Sequence, residues 1–190
     1  DGWSAVVSAD GDAARAKPGE VTMGSIGPGS AYQLGLEALK HTAKVDITYV
    51  PFPGSAPAIN ALLGQHVASV FAGYANVAEL IKAGKVRALA VTTVKPSPAF
   101  PDLPTVNALL PGFVADNWFA IYAPAGTPKE IVATLNTAIR KALETKAVRA
   151  LFEQDALISV GSTPEELGAH LKRETDRYAE VIRKGNITAQ

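Results

Sequence analysis

Short apolar runs alternate with amphipathic stretches through the first half of this 190-residue chain, and that alternation restricts its fold more than any other feature. The runs 21–23, 45–49, 67–71 and 86–92 read as strands, and 31–42, 56–63 and 76–83 read as helices. Strands that alternate with helices across short Gly/Pro turns make βαβ units and a parallel sheet, so the fold class is α/β. The third helix has a defined stop, with Gly84 at the left-handed position and Lys82 and Lys85 beside the negative helix end. Arg87-Ala-Leu-Ala-Val-Thr92 then reads as a buried strand. The first eighteen residues, rich in Ala and Asp and interrupted by Gly11, specify little.

The pattern breaks at 95–105, where Pro96, Pro98, Pro101 and Pro104 enforce an extended crossing. Beyond it, 116–123 (DNWFAIYA) reads as a long strand. Thr127 and Pro128 read as N-cap and first residue of a helix reaching Leu143, followed by a second helix at 147–154. Thr163-Pro164-Glu165-Glu166 is a capping sequence for a last helix that runs to Arg183. The carboxy-terminal third is therefore nearly all helix. A layer of helices needs a sheet to cover, and one strand is too few.

Charge and composition exclude several functions. Lys plus Arg and Asp plus Glu both number 18, which argues against a bulk-field grip on nucleic acid or anionic membrane. No apolar run approaches the roughly 20 residues that span a bilayer. The absence of cysteine removes disulfides and thiolate metal sites. Asp1-Gly2-Trp3-Ser4 has neither the basic nor the apolar region of a signal peptide.

The chemistry on offer gathers where strands pass into helices. Residues 24–30, Gly-Ser-Ile-Gly-Pro-Gly-Ser, let backbone N–H groups converge beside a helix N-terminus, with the hydroxyls of Ser25 and Ser30 and the amides of Gly27 and Gly29 available to an anion. The order G-x-x-G-x-G is not the dinucleotide fingerprint, and no lysine makes it a P-loop. A tight βα turn that needs glycine only for its geometry is the competing reading. Gly54 and Ser55 lie in a second such loop, and Phe71-Ala72-Gly73-Tyr74 ends a third strand. In open parallel sheets ligands collect at the carboxyl ends of strands, so these loops belong to one candidate site. Asn117 and Trp118 offer an amide and an aromatic wall, although Trp118 alone is better read as core. His41, His66 and His170 show no metal-ligand spacing; Glu37 and His41 read as a surface pair, and His66 as a solvated turn residue. There is no G-x-S-x-G elbow and nothing has the look of a catalytic set, although a Ser/His/Asp triad assembled from distant residues stays open. No metal or cofactor is implied.

Several segments in order resemble one family: 18–25 (PGEVTMGS), YVPFPGSAPAINALLGQ, IKAGKVRALAVT, SPAFPDLPTV, WFAIYAPAGTPKEIVATLN and STPEELGAHLKRE. They are similar to the Bug (TctC-like) solute-binding receptors of tripartite tricarboxylate transporters, and the match covers nearly all of 18–187. The resemblance implies a periplasmic binding protein of type II, without enzymatic activity, which closes on a small organic carboxylate and delivers it to membrane permease subunits. It implies that backbone amides and hydroxyls of two βα loops hold the carboxylate, the second-lobe loop matching 24–30. Family members often carry Asp-Asn after the third strand of this lobe to hold a ligand amine. Ala72-Gly73 stands there instead, which favours a simple organic acid or aromatic carboxylate.

Members also begin with an export signal and a first-lobe segment that this chain does not match. The expected organisation is a poorly matched leader at 1–17, the second α/β lobe with the ligand loops at 18–116, and at 117–190 the crossing strand and helices of an otherwise incomplete first lobe. The ligand residues are then Ser25, Gly27, Gly29, Ser30, Gly54, Ser55, Gly73 and Asn117. On this reading the apolar faces of the helices at 131–143 and 167–182 are exposed or covered by another chain. Two rival readings are a non-binding oligomer built on those faces and an enzyme that processes carboxylates at the same loops.

Overall fold

A computed structural model of the chain describes residues 11–94, 96–97 and 100–187. Most of the leader, together with Pro98 of the proline-rich crossing, lies outside the described residues. The described chain divides into two compact units, Asp1–Asn117 with Ala179–Gln190, and Trp118–Tyr178.

In the first unit a short helix α1 (Gly11–Ala16) precedes β1 (Thr22–Ile26), α2 (Ala31–Ala43), β2 (Thr48–Phe52), α3 (Ser55–Leu63), β3 (Ser69–Val70) and α4 (Tyr74–Lys82). The three strands form a parallel sheet in the order β2-β1-β3, as the alternation predicts. Thr22 to Ile26 pair in register with Thr48 to Phe52. Each of the first two strands lies further along the chain than the apolar runs indicate. Gly24 explains the shift in β1. A Cβ there would meet Phe52 Cε2 at 3.0 Å and Val70 Cγ1 at 3.3 Å, so glycine lets β1 sit tightly between its neighbours. Ser25 is consequently a buried strand residue rather than a loop residue.

Leu36 and Leu39 of α2 pack with Met23, Ile47, Phe71, Val106 and Phe113 in a core that excludes water almost completely. A glycine lets α2 approach it closely: a Cβ on Gly35 would lie 3.0 Å from the Phe71 ring and 3.2 Å from Ala115 Cβ. Gly84, at φ +65°, turns the chain after α4 as its position in the sequence predicts. Glu37 pairs with Lys40 at 3.3 Å, and His41 and His66 are both exposed.

Two predicted strands do not form. Of 86–92 only Val91 is paired, in a single parallel bridge to Thr105 just before α5 (Val106–Leu109). Val91 N donates to the Pro104 carbonyl and Val106 N to that of Val91, at 3.0 and 2.8 Å. Residues 116–123 pair with no described strand, and Phe119, Ile121 and Tyr122 are exposed. A strand exists only through its ladder, so β-propensity alone does not make one.

The second unit holds α6 (Lys129–Leu143), α7 (Lys146–Gln154) and most of α8 (Pro164–Lys184), whose residues from Ala179 onward group with the first unit. Helix α6 starts one residue later than predicted. Pro128 has extended ψ, and its carbonyl accepts from Ile131 and Val132, while the Thr127 hydroxyl turns back onto the Pro124 carbonyl at 2.8 Å. The capping of α8 forms as read from the sequence: Thr163 N donates to Glu166 Oε2 at 2.8 Å and Glu166 N to Thr163 Oγ1 at 3.2 Å. Trp118 and the His170 ring meet edge to face at 4.9 Å. None of the three helices has a buried residue, and Ile131, Leu135, Leu151 and Leu171 are exposed.

Candidate functional site

Because the three strands are parallel, the segments that follow them all leave the sheet at its carboxyl edge. The order β2-β1-β3 places the topological switch point between β1 and β3, where chains leaving adjacent strands diverge and open a crevice. Residues 27–30 follow β1 and residues 71–73 follow β3, so Gly27, Gly29, Ser30 and Gly73 flank that crevice. Gly54 and Ser55 follow β2 on the same edge, one strand further out.

The loop after β1 is closed by its own hydrogen bonds. Ser30 is the N-cap of α2: its hydroxyl accepts from Gln33 N at 3.2 Å and donates to the Ile26 carbonyl at 2.8 Å. Ser30 N donates to the Gly27 carbonyl at 3.3 Å. Gly29, at φ +77°, holds a left-handed conformation that a side chain would strain, and its amide donates to Gln33 Oε1 at 2.7 Å. Three hydroxyls converge on the Ile26 carbonyl, because Ser25 and Tyr49 also donate to it, at 3.3 and 3.1 Å. Ser25 thus acts from inside the sheet, anchoring the end of β1 beneath the loop.

Tyr32, in the first turn of α2, joins the other two predicted positions. Asn117 Nδ2 lies 3.5 Å from the Tyr32 hydroxyl, and a Cβ on Gly73 would come within 3.0 Å of the same oxygen. The Tyr32 ring tilts against Phe71 at 5.7 Å. Gly73 is glycine, then, because the Tyr32 hydroxyl occupies the space that a side chain would need. Gly73, Asn117 and the start of α2 are brought together. Gly54 caps α3, which begins at Ser55, one strand further out, and a Cβ on Gly27 would lie 3.9 Å from the Phe52 carbonyl.

The segments 24–30, 52–55 and 71–76 contain neither Lys nor Arg. The N-termini of α2 and α4, with their partial positive charges, stand at this edge. Beside the loop, Pro28, Gln33, Glu37, Tyr49 and Pro51 line a hollow of about 330 Å³ together with residues 185–187. Burial, and then the charge of Glu37, push the Tyr49 phenol above its ordinary value. Among the described residues no three of His, Asp and Glu cluster as a metal would require, and no helix is long and apolar enough to cross a membrane.

Sequence reasoning missed Tyr32 and Gln33. The signal for Gln33 was present: Ser30-Ala-Tyr-Gln33 has the spacing of a capping box, which identifies both the cap and the residue that reaches back. Nothing local marks Tyr32, because its role depends on Gly73 and Asn117, both distant in sequence.

Residues 10–187 match the family described as tripartite tricarboxylate transporter family receptor, TctC. A UPF0065 protein from the tcbD-tcbE intergenic region of a Pseudomonas species is 34% identical over 93% of this chain and 53% of its own length. Protein BugT of Bordetella pertussis is 37% identical over 90% of this chain and 52% of its own. Among solved structures, an R. palustris protein with adipate superposes at TM-score 0.82 and 32% identity, over 96% of this chain and 62% of that one. MatC from Rhodopseudomonas palustris with bound malate gives 0.67 and 32%, over 86% and 57%. The chain spans about half the length of these curated relatives. With its parallel α/β sheet and solved neighbours of this type, the chain belongs to the TctC family of tripartite tricarboxylate transporter receptors.

Proposed function

We propose that this chain carries the carboxylate-binding edge of a periplasmic solute receptor that serves a tripartite tricarboxylate-type permease. Residues 18–116 act as the lobe that bears the ligand loops, and 117–190 as part of the other lobe. One observation carries the reading. Gly27, Gly29, Ser30 and Gly73 stand in the segments that leave the carboxyl ends of β1 and β3 at the starts of α2 and α4, with Asn117 beside Tyr32, in a family with solved members holding adipate and malate. Amide and hydroxyl donors at helix N-termini suit a small carboxylate. None of the residues assigned to the edge is an acid or base able to activate a hydroxyl, which favours a receptor over an enzyme. Ser25 lies beneath the loop in β1, and Gly54 and Ser55 extend the same edge beyond β2.

Calorimetric titration with adipate, malate and a neutral diamide of adipate tests this. Binding of the acids but not the diamide is the expected result, with at least about tenfold loss in Gly73→Asp, whose carboxylate would repel the ligand and crowd Tyr32. Absence of binding by every dicarboxylate up to millimolar concentration, in a folded protein, overturns the reading.

A further inference from the structure

In a capping box the residue three after the N-cap turns its side chain back onto the N-cap amide. Gln33 departs from that pattern. Its backbone N–H donates to Ser30 Oγ as expected, but its side-chain oxygen accepts from Gly29, one residue before the cap, at 2.7 Å. The Ser30 amide is served instead by the Gly27 carbonyl. The side-chain oxygen of Gln33 therefore sits on an exposed loop amide just before α2, held there by a side chain half-buried in the first turn of that helix. An amide oxygen on an N–H donor at a helix N-terminus has the chemistry of one carboxylate oxygen without its charge.

We propose that Gln33 is an internal stand-in for the ligand: its amide oxygen holds Gly29 N–H in the open site and is displaced when a carboxylate arrives. The inference rests on the carboxylate reading above and adds a regulating residue to it. Gln33 keeps the loop shaped while empty, at the expense of affinity, because the incoming anion must break a bond already made. The hollow beside Pro28 and Tyr49, which Gln33 also lines, gives the displaced side chain somewhere to go.

The test combines adipate titration with the Gly29 amide resonance in wild type, Gln33→Ala and Gln33→Glu. In Gln33→Ala the Gly29 amide should shift without ligand, exchange about tenfold faster with solvent, and adipate should bind roughly three- to tenfold more tightly, the worth of one internal hydrogen bond. Gln33→Glu puts a fixed charge on the same amide. Binding should fall at least about tenfold at neutral pH, where side chain and ligand are both anionic. If adipate binds wild type and Gln33→Ala alike, or the variant more weakly with an unmoved Gly29 amide, Gln33 is only a support and the stand-in is overturned. If neither wild type nor either variant binds any dicarboxylate, the carboxylate reading falls and the stand-in with it. Binding that appears only in Gln33→Ala supports both.

Discussion

The first unit, centred on the sheet, and the second, Trp118–Tyr178, contain equally regular helices but differ in what holds them. In the first, α2 buries five residues, and Met23, Leu36, Leu39, Ile47, Val106 and Phe113 are almost wholly withdrawn from solvent. In the second, α6 and α7 bury none, and Phe119 and Val160 are 80% and 82% exposed. Helical order in that region comes from caps, the Thr163–Glu166 box and the Thr145 hydroxyl on Val148 N, together with ion pairs such as Lys172–Asp176. Caps and pairs fix where a helix begins and ends, but each contributes only about 1 kcal/mol or less. Burial fixes what the helix lies against. The amphipathic faces of the second unit stay largely exposed among the described residues.

Truncation of core side chains should expose this difference most strongly. Phe113→Ala, at a side chain 1% exposed, is expected to cost about 3–5 kcal/mol in urea unfolding. Leu135→Ala, at 49% exposure, should cost less than about 1 kcal/mol. Equal losses would mean that Leu135 is packed in solution, and the contrast between the units would collapse.

Glycines sharpen the same contrast with opposite signs. Gly35→Val drives a branched side chain into Phe71 and Ala115 and should destabilise by about 1–3 kcal/mol. Gly168, inside α8, has open space where a Cβ would stand, so Gly168→Ala should stabilise by about 0.5–1 kcal/mol through helix propensity alone. Thermal unfolding decides each: a stabilised Gly35→Val would refute the close approach there, and a destabilised Gly168→Ala the open space at Gly168. A smaller local effect is expected at the α8 cap. Thr163→Ala should remove about 1 kcal/mol and fray the first turn, seen as faster amide exchange at Glu165 and Glu166.

How much of this was legible beforehand follows the range of each interaction. The βαβ order, the stop at Gly84 and the cap at Thr163 depend on neighbours within a few residues, and the sequence contains them whole. Residues 86–92 and 116–123 have strand composition, but whether they pair depends on a partner elsewhere, which no local pattern supplies. The edge site divides in the same way. The glycines and Ser30 could be read from a strand-to-helix passage, whereas Tyr32 gains its place only when α2 meets Gly73 and Asn117 in space. Ser25 was legible as a hydroxyl near the loop but not as a buried anchor, because β1 extends past the apolar run through Gly24.

Tyr49 provides the finest test, because it ties the sheet to the loop by a hydrogen bond and carries a titratable group. Its phenol donates to the Ile26 carbonyl at 3.1 Å and is raised above its ordinary value by burial and then by Glu37. A raised value means that the folded state favours the neutral phenol, so the unfolded chain releases its proton first as the pH rises. The contribution to stability is therefore complete below about pH 10, the unfolded value, and is lost as the pH climbs through the folded one. Tyr49→Phe should cost at most about 1 kcal/mol at neutral pH, the lost hydrogen bond, since Ser25 and Ser30 still serve the same carbonyl. It should also flatten part of the alkaline fall in stability measured between about pH 9 and 11. An alkaline limb identical in the two proteins would show that Tyr49 does not hold its proton for the sheet, and the loop would then rest on its two serines alone.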